Sequence, residues 1–148
     1  MKPFWPPKYS VTLSLVVTYT GAAALLVLMF FAQRVIESVL GLPAPFSRNL
    51  AWIFYACCPA GWTAIAALLK LLHNIRVGEV FTRQNATLLR LLSWCFAFTA
   101  LVSFVTVYWF PSLLIIGTAA GFLALILRVV KNVIAQATLL REENDLTI

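Results

Sequence analysis

His73 and the three cysteines, Cys57, Cys58 and Cys95, are the side chains best suited to acid–base or nucleophilic chemistry. None of them has company. His73 stands beside Lys70 and Arg76 with no carboxylate or hydroxyl placed to orient it as a general base. A lone histidine there suits a helix end. The cysteines lie in apolar stretches without a Cys-x-x-Cys or Cys/His metal spacing. Cys57 and Cys58 are adjacent, so a helix points them to different faces, and all three read as small buried hydrophobes. No nucleophile elbow, glycine-rich phosphate loop or catalytic carboxylate pair occurs. The expectation is a protein that is not an enzyme and holds neither metal nor cofactor.

Acidic or basic groups inside a membrane mark ion paths and proton relays. The apolar stretches here contain none, which argues against proton-coupled transport. Their polar groups are chiefly Ser14, Thr18, Thr20, Thr63, Ser93, Thr99, Ser103, Thr106 and Thr118. Such residues usually satisfy carbonyls of their own or a neighbouring helix.

The elements that must carry these residues follow from where charge is missing. The chain has 148 residues, of which 62% are hydrophobic and 11% charged, against about 25% charged in a soluble domain. No Asp, Glu, Lys or Arg occurs from Tyr9 to Gln33, from Asn49 to Leu69, or from Leu91 to Leu127. A soluble enzyme, a disordered chain and a disulfide-rich secreted domain are all excluded by this pattern, and an integral membrane protein is implied. The last window spans 37 residues. As one helix it would be about 55 Å long, against a hydrocarbon core of about 30 Å, so it must hold two spans. The break belongs at Tyr108-Trp109-Phe110-Pro111-Ser112, because aromatics favour the interface and proline suits a first helical turn. Arg90 and Arg128 can then snorkel on one side of the membrane.

The first window is too long for a signal peptide's apolar core and is preceded by Pro3, Pro6 and Pro7, so it is expected to be retained. Four spans result, near residues 10–33, 49–75, 83–108 and 112–142. The fold class is all-α: a single transmembrane domain over residues 1–148, built as a four-helix bundle with helices 2 and 4 extended into the cytoplasm. One side carries Lys2, Lys8, Lys70, Arg76, Arg83, Arg90, Arg128, Lys131 and Arg141, the other Arg34 and Arg48. The positive-inside rule then places both termini in the cytoplasm. The net charge of +6 is mainly this topological signal, and contact with anionic lipid explains it better than nucleic-acid binding.

Between the first two spans, Arg34 to Arg48 suggests a short interfacial helix followed by a turn at Gly41-Leu42-Pro43. Pro59, two residues before Gly61, should kink the second span and offers a possible cleft. Gly21, Ala22, Ala23 and Ala24 permit close helix packing.

Two segments stand out beyond the spans. In Arg76-Val77-Gly78-Glu79-Val80-Phe81-Thr82-Arg83-Gln84-Asn85, Gly78 suits the left-handed end of a helix and Thr82 an N-cap. Asn85 is a poor match to the Glu or Gln of a capping box, and Phe81 can staple onto the next turn. The last ten residues run Leu139-Leu140-Arg141-Glu142-Glu143-Asn144-Asp145-Leu146-Thr147-Ile148. The fourth helix continues past Arg128 as an amphipathic extension. Alternating Leu146 and Ile148 after an acidic cluster suggest an extended tail, either docking Leu146 on Phe81 while Glu142, Glu143 or Asp145 meets Arg76, Arg83 or the positive end of the third helix, or left free as a handle for the partner.

These two segments, GEVFTRQNATLLR and LLREENDLTI, resemble an uncharacterised family of small bacterial four-helix membrane proteins, classed as a domain of unknown function. Members are often encoded beside very small Cro/C1-type helix-turn-helix regulators. The resemblance implies a protein of the bacterial cytoplasmic membrane with a small DNA-binding regulator as partner. It carries no catalytic residue. The expected function is regulatory, with Arg76, Gly78, Phe81, Thr82, Arg83, Asn85, Glu142, Glu143, Asp145 and Leu146 forming a cytoplasmic partner face. The alternative is a small transport or lipid-handling protein. Membrane lipids are partners in either case, and direct contact with nucleic acid is expected in neither.

Overall fold

The computed structural model describes residues 7–147, so Lys2, Pro3, Pro6 and Ile148 lie outside it. The described chain is all-α: α1 spans Pro7–Leu40, α2 Ala44–Val77, α3 Arg83–Thr106 and α4 Leu113–Leu146. All four are long and apolar enough to cross a membrane, as befits a multi-pass membrane protein. The helices α1, α2 and α4 have 34 residues each, about 51 Å of helix, which exceeds the roughly 30 Å a hydrocarbon core requires.

The first connection differs from the expected interfacial helix. Residues 34–40 contain neither glycine nor proline, and α1 continues through them without a break. It stops only at Gly41, whose φ of 61° is left-handed, with the Gly41 N–H donating to Glu37 O at 3.1 Å. Pro43 then begins α2, its carbonyl accepting from the Phe46 and Ser47 amides. Ser47 is fully buried, and its Oγ lies 2.9 Å from Glu37 Oε1 and 3.0 Å from Ala44 O. Glu37 Oε1 also accepts from Gln33 Nε2 at 3.1 Å, so one carboxylate ties the end of α1 to the start of α2.

The α3–α4 corner falls at residues 107–112, where the aromatic and proline break was expected. The Thr106 carbonyl accepts from both the Trp109 and Phe110 amides, and Phe110 O receives the Leu113 amide. Phe110 packs edge-on against Phe46 at 6.5 Å, which brings this corner beside the start of α2. Tyr108 is 89% exposed, as an interfacial aromatic would be.

Helix backbones approach one another only in chain order among the described residues: α1 with α2, α2 with α3, and α3 with α4. Among the described residues no backbone contact closes α4 onto α1, so the helices are open on that side. The α3–α4 pair is the tightest. Gly117 sits so close to α3 that a Cβ there would stand 3.1 Å from Ser103 Cβ, and Gly121 faces Ala100 Cβ. Gly117 and Gly121 form a small-xxx-small stripe that permits this approach. The buried Ser93 hydroxyl crosses the seam to Ala124 O at 2.9 Å. Ala67, Leu71, Leu89 and Leu92 form the α2–α3 core, with Leu127 and Ile134 of α4 packed on it.

The α1–α2 contact is looser. Gly61 lets Leu25 approach, Tyr55 Oη–H donates to Met29 O at 3.1 Å, and Trp62 Nε1–H donates to Met29 Sδ at 3.2 Å. Gly21 contributes nothing here, since a Cβ on it would meet no atom within 4 Å. Pro59 lies inside α2 without ending it, and Thr63 Oγ1 lies 3.0 Å from the Pro59 carbonyl and 3.1 Å from Cys95 Sγ on α3. Thr18, Thr20, Thr99, Thr106 and Thr118 donate to carbonyls four residues back in their own helices, as hydroxyls in apolar surroundings must.

Candidate functional site

The α2–α3 turn is held by a set of backbone and side-chain hydrogen bonds. Gly78 takes φ 91°, and its N–H donates to Ile75 O while the Glu79 N–H donates to Asn74 O. This pair of bonds is a Schellman ending, which satisfies two of the carbonyls a helix terminus leaves open. Four residues later Thr82 adopts an extended backbone, and its Oγ1 accepts from the Asn85 amide at 3.2 Å. Both assignments follow the spacing.

Asn85 does more than the sequence indicated. It is 1% exposed. Its Nδ2 donates to Glu79 O at 2.6 Å and to Val80 O at 2.9 Å, and its Oδ1 accepts from Asn74 Nδ2 at 2.7 Å. Both amide protons and the carbonyl oxygen are thus engaged, and the side chain replaces the backbone partners that residues 79 and 80 lack in an irregular turn. A capping box would instead send the side chain back to the cap amide. The spacing GEVFTRQN therefore encodes a turn read from within by its last residue.

Arg83, the first residue of α3, joins this turn to α4. Its Nε donates to Glu142 Oε1 at 3.1 Å and its Nη2 to Glu142 Oε2 at 2.7 Å. The fork geometry is bidentate, and it is the one ion pair among the described residues. Both groups lie beyond the charge-free windows and are solvent-exposed. The guanidinium hydrogen bonds hold the Glu142 carboxyl below its ordinary value of 4.5 and push Arg83 up. Such exposed pairs add little stability but fix direction.

The extended, docked tail is overturned. Helix α4 runs unbroken to Leu146, because Arg141 to Leu146 contains no helix breaker and Glu142 is held by Arg83. Leu146 is 87% exposed instead of covering Phe81, which is itself 46% exposed. Among the described residues Glu143 and Asp145 are exposed and make no ion pair, nor does Arg76 in the last turn of α2. The structure therefore brings together Gly78, Thr82, Asn85, Arg83 and Glu142, and leaves Arg76, Phe81, Glu143, Asp145 and Leu146 as separate surface features.

Sequence reasoning missed Asn74, whose partner lies eleven residues on, and the Glu37–Ser47 tie. It also missed the Gly117–Gly121 stripe, although a Gly-x-x-x-Gly inside an apolar span is a readable packing signal. Among the described residues no group of His, Cys, Asp and Glu is arranged to hold a metal.

A family model described as "Protein of unknown function (DUF2975)" matches residues 5–148. No curated protein and no solved structure matches the chain.

Proposed function

The chain belongs to the DUF2975 family of unknown function, and from that premise we propose that it is a regulatory membrane protein presenting one end to a small partner. The reading places it in a bacterial cytoplasmic membrane with both termini inside, as the nine-to-two division of Lys and Arg suggests. The inner end is then the α2–α3 turn with the last turns of α4. The partner is a small cytoplasmic protein such as a helix-turn-helix regulator, in line with the resemblance carried by residues 78–90 and 139–148.

One observation carries the proposal: a rigid turn coupled to a second helix, with apolar side chains left uncovered around it. The turn is held by Asn85 and linked to α4 through Arg83 and Glu142. Val77, Phe81, Leu140 and Leu146 remain exposed nearby in sequence. Preorganised backbone with exposed apolar anchors lowers the ordering cost of binding. The test is affinity capture with the solubilised full chain, beside Phe81→Ala and a form lacking residues 144–148. A specific small protein retained by the native chain and lost from both variants supports the reading. Capture that is absent, or unchanged in both, refutes it.

A lipid-handling role is the second reading, favoured by a basic cavity between α3 and α4.

A further inference from the structure

Arg90 on α3 and Arg128 and Lys131 on α4 converge on a cavity of about 220 Å³, completed by Ser93 and Trp94. No carboxylate lines it, and none of the three cations forms an ion pair among the described residues. Three like charges on facing helices repel one another, and an anion between them removes that repulsion. Arg128 is already oriented, because its guanidinium lies 5.5 Å from the centroid of the Trp94 ring. Trp94 is itself an amphipathic side chain of the kind that settles at headgroup depth.

A second cavity of about 320 Å³ begins where the first ends, and the two share Ser93 and Arg128. The rest of its lining is apolar, running through Ala97 and Leu101 to Phe104 on α3, with Gly121 and Leu125 on α4. Small residues, Ala100, Gly121 and Ala124, line it at the seam between the helices. From Ser93 to Phe104 the helix rises about 16 Å. One leaflet of hydrocarbon is about 15 Å deep, half the core thickness. A cationic cup thus opens directly into an apolar groove one leaflet long.

We propose that this face binds a single anionic phospholipid, with the phosphate among Arg90, Arg128 and Lys131 and one acyl chain along the α3–α4 groove. Arginine matches phosphate with paired donors, and lysine adds a third charge. The groove orients the lipid but does not select it, since surrounding lipid tails are as apolar as the protein wall. Selection therefore rests on the headgroup charge. The site stands whether or not a protein partner binds the inner end.

The test uses the full chain in nanodiscs of equal phosphatidylglycerol and phosphatidylcholine, released into detergent and weighed by native mass spectrometry. The native protein should retain one phosphatidylglycerol, favoured over phosphatidylcholine by about tenfold or more. Arg90→Gln/Arg128→Gln/Lys131→Gln should retain both lipids alike. Arg34→Gln/Arg48→Gln, altered at the opposite end of the helices, should keep the native preference. Ala97→Phe, which fills the groove, should retain less lipid while leaving the cations in place. Circular dichroism and thermal melting identify any variant that has lost its fold, and Arg90→Lys/Arg128→Lys then serves as the charge-retaining comparison. Equal retention by the native chain, or equal loss in the Arg34/Arg48 variant, overturns the site. Displacement of the lipid by millimolar glycerol phosphate as readily as by phosphatidylglycerol overturns the lipid assignment in favour of a free phosphate. Unchanged retention in Ala97→Phe overturns the chain's place in the groove.

Discussion

Asn74 donates its side-chain amide to Asn85 Oδ1 at 2.7 Å, so the last turns of α2 hold the residue that organises the start of α3. The connection between these helices is a hydrogen-bonded unit and not merely a short loop.

Replacing Asn85 should therefore cost more than a capping change. Asn85→Ala leaves the Glu79 and Val80 carbonyls and the Asn74 amide without partners, at about 1–3 kcal/mol for a buried polar group so orphaned. Asn85→Asp gains up to about 1 kcal/mol from a negative charge in the first turn of a helix. It also aims carboxylate oxygens at two carbonyls that now receive protons, and that repulsion wins. Thermal melting in detergent should rank native above both variants, and an Asp variant as stable as the native chain would refute the argument.

Glycine substitutions separate backbone strain from crowding. Gly78→Ala meets open space but must hold φ near 91°, at roughly 1–2 kcal/mol. Gly117→Ala has ordinary helical backbone but drives a methyl to 3.1 Å from Ser103 Cβ and 3.5 Å from Ala100 O, which forces α3 and α4 apart. Gly21→Ala meets neither obstacle and should be neutral or slightly stabilising, since alanine favours helix by about 1 kcal/mol. Parallel melting curves test the order. A destabilised Gly21→Ala would reveal a neighbour for α1 beyond the single chain.

The Arg83–Glu142 pair should titrate as one device. The Glu142 carboxyl is held below 4.5, so its contribution is full above that value and fades as the pH falls through the lowered one. A fluorophore at the end of α4 should gain mobility in that acidic range. Arg83→Gln should show the mobile state at neutral pH, with no further change on acidification. Equal acid responses in the native and Arg83→Gln chains would assign the titration elsewhere.

The proposed orientation predicts opposite labelling at the two kinds of turn. A cysteine at Ala44 should react with an impermeant reagent from outside the cell, and one at Glu79 only after the membrane is opened. Reaction of both from outside would refute α2 as a span, and reaction of Ala44→Cys only from within would invert the topology.

The charge-free windows made the four helices legible, because a span must exclude ionised groups whatever its neighbours do. Their true ends were less visible. Arg34 and Arg48 read as a chain leaving the membrane for a separate interfacial helix, yet charge bears on membrane depth and not on helix continuity, so α1 continued to Leu40. The tail misled for a related reason. Leu146 and Ile148 alternate as in a strand, but Arg141 to Asp145 are compatible with helix, and Glu142 found its arginine by staying in register with α4. Gly78 and Thr82 were readable because their roles are local. Asn85 was not, since its side-chain amide donates to backbone carbonyls, which leave no residue type to recognise, and its one side-chain partner, Asn74, lies eleven residues away. The Arg90–Arg128–Lys131 cluster was half visible: the sequence put the cations on one side, and only the packing of α3 on α4 put them around one cavity.

The serial order of contacts also bears on how the protein is made. Close backbone approaches between helices run only in chain order among the described residues, so each new helix finds its backbone neighbour already made. Such a molecule can assemble in step with the ribosome, pairing each new helix with the one just released, and its low contact order favours speed. The tightest pair, α3 with α4, emerges after the other two. A nascent chain released after residue 112 would hold its first three helices yet lack the α3–α4 seam, leaving the face of α3 around Ala100 and Ser103 bare.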